Sequence, residues 1–301
     1  MKTFMTTAGA LLLACALPAH AALEIFACEP EWAALAAELA GDKAEIYLAT
    51  TGRQDPHQIQ ARPSLIAKAR QADLLVCTGA ELEIGWLPMV QRQAGNPRIQ
   101  PGAAGDFAAT AAVRLREVPT VLDRANGDVH AAGNPHVQTD PRTIGPVAAA
   151  LAERLATLDG VHAAFYRARA QDFAARWNAA VARWTAAGAP LRDQPVAVSH
   201  HSWIYLFTWL GMREVVALEP KPGVPPSSGY LAQVLATVSA QPVKMVIHAA
   251  YEDPKPAAFL AAHAHIPDVT LPFTVGGTDE ATDLFALYDD TLNRLLKALA
   301  P

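Results

Sequence analysis

The chain has 301 residues, of which 51% are hydrophobic and 18% are charged, and its formal net charge is −5. That length exceeds one domain of ordinary size and suits two lobes. The small negative charge, with no block of basic residues, argues against nucleic acid or an anionic membrane as a partner. The high hydrophobic content argues against intrinsic disorder.

The first 21 residues predict a cleavable signal peptide. Lys2 supplies the positive charge, an apolar stretch follows, and Ala19-His20-Ala21 has the small-x-small form of a cleavage site. A lipoprotein cleavage box ending at Cys15 is the less favoured alternative, because Leu13 is bulky for that motif. No later run approaches the ~18 to 20 apolar residues that span a bilayer. We therefore expect export to the periplasm.

Strands and helices alternate along both halves of the remaining chain, which is typical of parallel α/β sheets. In the first half, strands are expected at 23–28, 44–50 and 73–83 and helices at 31–41, 63–72, 85–95 and 141–158. In the second half, strands are expected at 195–200, 214–218, 243–252 and 269–272 and helices at 202–212, 229–240, 254–266 and 284–300. Residues 100–140 have no clear period and predict a functional loop.

One long helix separates the two halves. Apolar residues recur at helical spacing from residue 161 to about 186, and at ~1.5 Å per residue such a helix is about 39 Å long. The expected fold is therefore α/β, with two lobes that are each a mostly parallel sheet flanked by helices. We expect an N-terminal lobe at 22–158, the linking helix at 159–188 and a C-terminal lobe at 189–301.

Three histidines stand at the ends of strands or after proline-fixed turns. His57 follows Asp55-Pro56, His136 follows Asn134-Pro135, and His200 ends a strand. Because ligands in open α/β sheets bind beyond the carboxyl ends of the strands, these three side chains could share one cleft. Three imidazoles and a carboxylate suit tetrahedral Zn²⁺. The pattern alone also allows three unrelated loop residues that face solvent.

Two cysteines remain after the signal peptide. Cys28 and Cys77 each end an apolar, strand-like run. In an exported protein such a pair predicts a disulfide rather than two free thiols. Metal binding by the two thiols is the alternative, but no CxxC spacing supports it.

A hydrolase is the competing class of protein. Serines flank the pair His200-His201, and three histidines with water in the fourth position could make a zinc hydrolase. However, the sequence contains no GxSxG, HExxH, P-loop or GxGxxG motif. We therefore expect a binding protein that catalyses nothing.

Six segments together resemble one known family. They are "DPHQIQARPS", "ADLLVCTGAELEIGWL", "GDVHAAGNPHVQTDP", "SHHSWIYLFTWLG", "LEPKPGVPPS" and "VGGTDEATDLFALYDDTL". In this order, and covering nearly all of the mature chain, they resemble the zinc- and manganese-binding solute-binding proteins of ABC importers, closest to the zinc branch. The resemblance implies two α/β lobes joined by a long helix.

The resemblance also implies which histidines bind the metal. They are His57, His136 and His200, the last being the histidine five residues before Tyr205, so His201 is a neighbour rather than a ligand. Because three imidazoles favour borderline ions, we expect Zn²⁺, with Mn²⁺ or Fe²⁺ as the alternative. The partner implied is the membrane permease of an ABC importer, and a periplasmic metallochaperone is a further candidate. We expect a monomer.

For the fourth ligand we expect Asp279, because Gly276-Gly277 allows a sharp turn after the last strand, at the edge shared with the histidine loops. Glu280, Asp283 and water are the alternatives, and Glu252 is a more distant one. The long loop rich in histidine and acid that many zinc-binding members carry is missing from this sequence. Only His130 stands in that region, and we consider it either for metal transfer or as an ordinary surface residue.

Overall fold

The computed structural model describes residues 22–120 and 130–300, so the expected signal peptide lies outside the described residues. The strands are β1 (Leu23–Ala27), β2 (Ala44–Leu48), β3 (Leu74–Cys77), β4 (Asp106–Ala108), β5 (Pro195–Val198), β6 (Arg213–Ala217), β7 (Val246–Ala249) and β8 (Asp268–Leu271). The helices are α1 (Pro30–Ala40), α2 (Pro63–Gln71), α3 (Leu87–Ala94), α4 (Pro141–Leu158), α5 (Ala163–Ala187), α6 (Ile204–Leu210), α7 (Ser228–Ala240), α8 (Lys255–Ala264) and α9 (Leu284–Leu299).

The strands form two parallel sheets of four, in the orders β2-β1-β3-β4 and β6-β5-β7-β8. Strands β3 and β7, at the centres of the two sheets, are buried along their whole length. Strand β3 is a continuous apolar run and β7 is apolar except for His248, because helices cover both faces of a parallel sheet. The predicted fold class is confirmed. The short strand β4 was not predicted, because the sequence around it is small and glycine-containing.

Three clusters of buried side chains hold these layers together. One lies under α2 and α3 on the outer face of the first sheet, and another lies under α7 and α8 on the outer face of the second. The largest cluster runs continuously from the inner face of one sheet to the inner face of the other, through α1, α4, α5 and α9. The two sheets therefore share a common core.

Helix α5 is the long helix expected from the sequence, and it runs for 25 residues. Its buried side chains include Phe173, Trp177 and Trp184. The indole of Trp177 donates a hydrogen bond of 2.7 Å to the carbonyl of Pro141, and that of Trp184 donates one of 2.6 Å to Asp289. These two hydrogen bonds fix α5 to the start of α4 and to α9.

The three domain ranges given above, 22–158, 159–188 and 189–301, remain a prediction.

Within the described part of the chain, no helix is both long enough and apolar enough to cross a membrane.

The expected disulfide joins Cys28 and Cys77. Cys28 directly follows β1 and Cys77 ends β3, and these strands are neighbours in the first sheet. The two Cα atoms are 4.8 Å apart, and both residues are buried. The bridge therefore lies directly below the loops that follow β1 and β3.

We predict that the double substitution Cys28→Ala and Cys77→Ala lowers the free energy of unfolding by about 4 kcal/mol, because the open chain regains the entropy that the bridge removes. Urea unfolding of the metal-free protein measures this loss. The single variants serve as controls and are expected to unfold like the double variant. Equal midpoints for the oxidised and the substituted protein would contradict this role of the bridge.

Candidate metal centre

His57 lies in the loop that follows β2, and its imidazole is held from one side. Asp55 Oδ1 accepts hydrogen bonds of 2.9 Å from both the backbone N–H and Nδ1 of His57. The indole of Trp86 donates to the carbonyl of Pro56 at 3.0 Å, which fixes the turn between Asp55 and His57. A Cβ atom at Gly85 would lie 2.8 Å from the carbonyl oxygen of His57, so only glycine allows this close approach.

His136 is held in the same way, by the amide of Asn134. Asn134 Oδ1 accepts hydrogen bonds from the backbone N–H of His136 at 3.1 Å and from Nδ1 at 2.8 Å. The ring of Phe273, from the second half of the chain, packs edge-on against the imidazole at 5.5 Å between centroids. His136 is only 2% exposed. Its ring therefore has one fixed orientation.

His200 comes directly after the strand β5 and Ser199. Its Nδ1 donates to Glu219 Oε2 at 2.7 Å, and the same oxygen accepts from the backbone N–H of Gly223 at 2.9 Å. Glu219 follows β6, which is the neighbour of β5 in the second sheet. Strand order therefore brings this carboxylate to the histidine.

The three imidazoles converge. Their ring centroids are 5.5 to 6.0 Å apart, and one ligand atom from each lies within 4.8 Å of the others. Nε2 of His57 and Nε2 of His136 are buried with no hydrogen-bond partner among the described residues. Because each Nδ1 is already used, Nε2 is the atom available to a metal. Buried donor nitrogens without partners fit a divalent cation with imidazole ligands.

The electrostatic environment keeps His136 neutral. Burial lowers its pKa well below the usual value, and the neighbouring His57, His200 and His130 lower it further. Asp55 behaves in the opposite sense: its burial opposes ionisation, but hydrogen bonds from His57 outweigh that effect and lower the pKa of the carboxyl. Metal binding requires a neutral imidazole as the ligand. An ionised carboxylate is the form that best accepts a hydrogen bond from Nδ1 of such a ligand.

The structure does not bring Asp279 to the three histidines. Its carboxylate accepts a 2.5 Å hydrogen bond from Arg53 Nη2, and its side chain is 89% exposed. Glu280 pairs with Arg294 at 2.7 Å. Asp283 caps α9 by accepting 2.8 Å hydrogen bonds from two backbone N–H groups. In this conformation the metal-ligand atoms that lie close together therefore come from the three histidines. Asp279 can bind the same metal only if its ion pair with Arg53 opens.

The other histidines differ in their distance from the centre. The ring of His130 lies 5.5 Å from that of His57 and 6.2 Å from that of His136, so it stands beside the centre. His201 turns away, and its Nδ1 pairs with Glu214 at 2.6 Å. The hydrogen bond to Glu214 raises the pKa of His201, which makes it a poorer ligand near neutral pH.

Sequence reasoning predicted no acceptor for Nδ1 of any of the three imidazoles, so it missed the orienting roles of Asp55, Asn134 and Glu219. Asn134 had a detectable signal, because Asn134-Pro135-His136 repeats the Asx-Pro-His pattern of Asp55-Pro56-His57, in which the Asx oxygen binds the backbone two residues on. Glu219 had none, because its contact with His200 depends on the order of strands in the sheet.

Three convergent imidazoles define a metal-binding protein: their Nδ1 atoms are already hydrogen-bonded, and they come from loops of two parallel sheets around one core. The chain belongs to the family described as ZnuA, zinc-uptake complex component A, periplasmic, which matches residues 25–299. Members of this family are periplasmic metal-binding components of transport systems and work with ABC transporter permeases. A search of curated proteins finds no match.

Solved structures share the fold. A ZnuA deletion mutant with zinc bound superimposes with a TM-score of 0.74 at 20% identity, covering 93% of this chain and 99% of that chain. A mutant of the laminin-binding adhesin of Streptococcus agalactiae gives 0.73 at 20% identity, covering 92% and 100%. A manganese-bound periplasmic metal-binding protein of Candidatus Liberibacter asiaticus gives 0.72 at 14% identity, covering 92% and 99%. Relatives of this shape include zinc-bound and manganese-bound proteins.

We predict that each of His57→Ala, His136→Ala and His200→Ala lowers zinc affinity by at least about a hundredfold, because each removes one of the convergent donors. His201→Ala is the matched control and is expected to change affinity little, since its ring faces Glu214. Competition against a chromophoric chelator measures all four. Loss of binding in His201→Ala with retention in His200→Ala would contradict this assignment.

Proposed function

We propose that the protein captures Zn²⁺ in the periplasm, after removal of the signal peptide at 1–21, and delivers it to the permease of an ABC importer. The observation that carries this proposal is the convergence of three imidazoles whose Nδ1 atoms are already used. Zinc is the cargo, and the protein carries out no catalysis. We further propose that it works as a monomer and that a periplasmic metallochaperone is a candidate donor of the metal.

The donor set supports zinc over manganese. Imidazole suits borderline ions, whereas Mn²⁺ prefers carboxylate and carbonyl oxygens. Each of the three rings also has a side-chain oxygen on its Nδ1, supplied by Asp55, Asn134 and Glu219. Such partners raise the basicity of the ligand and fix its orientation. Import of Mn²⁺ or Fe²⁺ is the second candidate, because a relative of the same fold is bound to manganese.

The fourth ligand remains the prediction made from the sequence, Asp279, bound after its ion pair with Arg53 opens. The position of the loop that carries Asp279 supports its role as the fourth ligand. A Cβ atom on Gly52 would lie 2.4 Å from the backbone of Gly276 and Gly277, so the loop before Asp279 packs directly on the turn that leads to His57. A carboxylate in the shell would reduce the charge of the bound centre and would close the position that a hydrolase leaves to water.

His130 is proposed as a residue of metal transfer. Its ring stands beside those of His57 and His136, in the chain segment that leads to His136. A fourth imidazole at this distance can take up an ion as it approaches or leaves the three ligands.

Competition between metals tests the proposed cargo. Protein purified without a histidine tag is expected to carry about one zinc per chain and to prefer Zn²⁺ over Mn²⁺ by at least about a hundredfold. Metal analysis and a two-metal competition titration measure both quantities. Retention of manganese against excess zinc would overturn the zinc assignment. Hydrolysis of an activated ester by the zinc-loaded protein, absent in His136→Ala, would point instead to an enzyme.

A pair of substitutions tests Asp279. If Asp279 leaves Arg53 to bind zinc, Asp279→Ala weakens binding by about tenfold or more. Arg53→Ala then strengthens binding by up to about fivefold, because breaking an exposed ion pair costs about 1 kcal/mol at most. Glu280→Ala is the control. If neither Asp279→Ala nor Arg53→Ala changes zinc affinity, Asp279 is a surface residue and water fills the fourth position.

A further inference from the structure

A cavity of about 310 Å³ adjoins the three histidines on the side of the second sheet. His57 and His200 form part of its wall. Four carboxyl side chains also line it: Asp55, Glu219, Glu252 and Asp253. None of the described residues that line it is a lysine or an arginine. The cavity is therefore an acidic space bordered by two of the metal ligands and by Asp55 and Glu219, which accept from their Nδ1 atoms.

Two polar groups in this wall have no partner within the described structure. Glu252 uses Oε2 to accept a 2.7 Å hydrogen bond from the backbone N–H of Ala249, whereas its Oε1 is buried and unpartnered. Ser199 is only 7% exposed, and its Oγ is likewise unpartnered. Because buried polar atoms are normally hydrogen-bonded, both residues favour a polar occupant over an apolar one in the cavity that they line.

The charge of that occupant follows from its surroundings. Burial raises the pKa of Glu252 to about 8; the hydrogen bond from Ala249 opposes this, and the charges of Glu219 and Asp55 add to it. A carboxyl group that burial holds protonated ionises more readily when a cation arrives beside it. An anionic ligand would meet these same carboxylates with no lysine or arginine among the described lining residues to offset them.

The spacing of the carboxylates distinguishes a hydrated cation from a directly coordinated one. Among the described residues, the clusters whose ligand atoms lie within 4.8 Å of one another are the three histidines and the group of Cys28, Cys77 and Glu83. The carboxylates of the cavity form no such cluster and cannot close a first shell around one ion. Since a water molecule occupies about 30 Å³ in the liquid, a cavity of this size holds an ion together with its waters.

We propose that this cavity is an outer-sphere antechamber, in which a hydrated divalent cation is held by Glu252 and its acidic neighbours before its waters are replaced by the imidazoles of His57 and His200. The proposal rests on the proposed function and adds the route by which the metal arrives. Acidic clefts with low-dielectric walls concentrate cations and speed their association. The carboxylate oxygens of the cavity hold the ion weakly through its bound water molecules, and the imidazole nitrogens of His57 and His200 then bind it directly.

Stopped-flow association of Zn²⁺ tests the antechamber, with Glu252→Gln as the variant. Glutamine keeps the shape and the acceptor for Ala249 but cannot ionise. The measurement is made at about pH 8.5, above the pKa of about 8 to which burial raises the Glu252 carboxyl, so that most of this group is ionised, and the variant is expected to associate about tenfold more slowly. Its dissociation, measured by chelator chase, is expected to be unchanged or slower. Glu252→Asp, which keeps the charge, is expected to recover most of the rate.

Glu153→Gln is the matched control, since it removes a carboxylate on α4 that pairs with Arg167 and does not line the cavity. Its association rate is expected to equal that of the unsubstituted protein. An unchanged association rate in Glu252→Gln would overturn the antechamber alone, as would faster dissociation, which would show that Glu252 acts on the bound ion directly. Absence of equilibrium zinc binding by the unsubstituted protein would overturn the proposed function as well.

Discussion

The hydrogen bond at Nδ1 of each histidine is the interaction on which the centre depends. Asp55, Asn134 and Glu219 each accept from one imidazole at 2.7 to 2.9 Å. Each bond fixes the tautomer with the proton on Nδ1 and leaves Nε2 without a proton, as the atom that can bind a metal. Without these acceptors each ring could turn and bond elsewhere in its loop, and the buried Nε2 atoms of His57 and His136 would not be left without a hydrogen-bond partner. The cost of leaving them unpaired is recovered when a metal binds.

One of these acceptors, Asn134, also connects the two halves of the molecule. Asn134 orients His136 with its Oδ1, while its Nδ2 donates to the carbonyl of His201 at 3.1 Å. Its own carbonyl accepts from the hydroxyl of Tyr205 at 2.8 Å, and this hydroxyl accepts from the backbone N–H of Arg116 at 3.0 Å. A histidine of the first half is thus held in place by backbone and side chains of the second. The continuous core along α5 supports this arrangement from behind.

The sequence predicted the parts of the structure that local pattern determines. Alternating apolar runs and helical periods located both sheets and the long helix α5, and the oxidising compartment predicted the bridge between Cys28 and Cys77. The short strand β4 was not predicted from the sequence. It has three residues in a segment of small residues and glycines, and it is defined by its pairing with β3 rather than by its own residues. The family resemblance, rather than spacing, selected His57, His136 and His200.

Contacts between residues that are distant in the chain could not be predicted from the sequence. Asp279 meets Arg53 across 226 positions, and neither residue carries a local sign of that pair. The acidic cavity likewise joins the loop after β2 to loops that follow β5, β6 and β7, so it exists only once both sheets are packed. Such features follow from topology and from the close packing of one loop on another, as at Gly52.

X-ray absorption spectroscopy of the zinc-loaded protein tests the central claim most directly, because it reports the donor atoms of the bound metal. The account predicts three imidazole nitrogens at about 2.0 Å with a single oxygen donor and no sulfur. Fewer than three imidazoles, or a shell made mainly of oxygens, would contradict the assignment of His57, His136 and His200 as the zinc ligands.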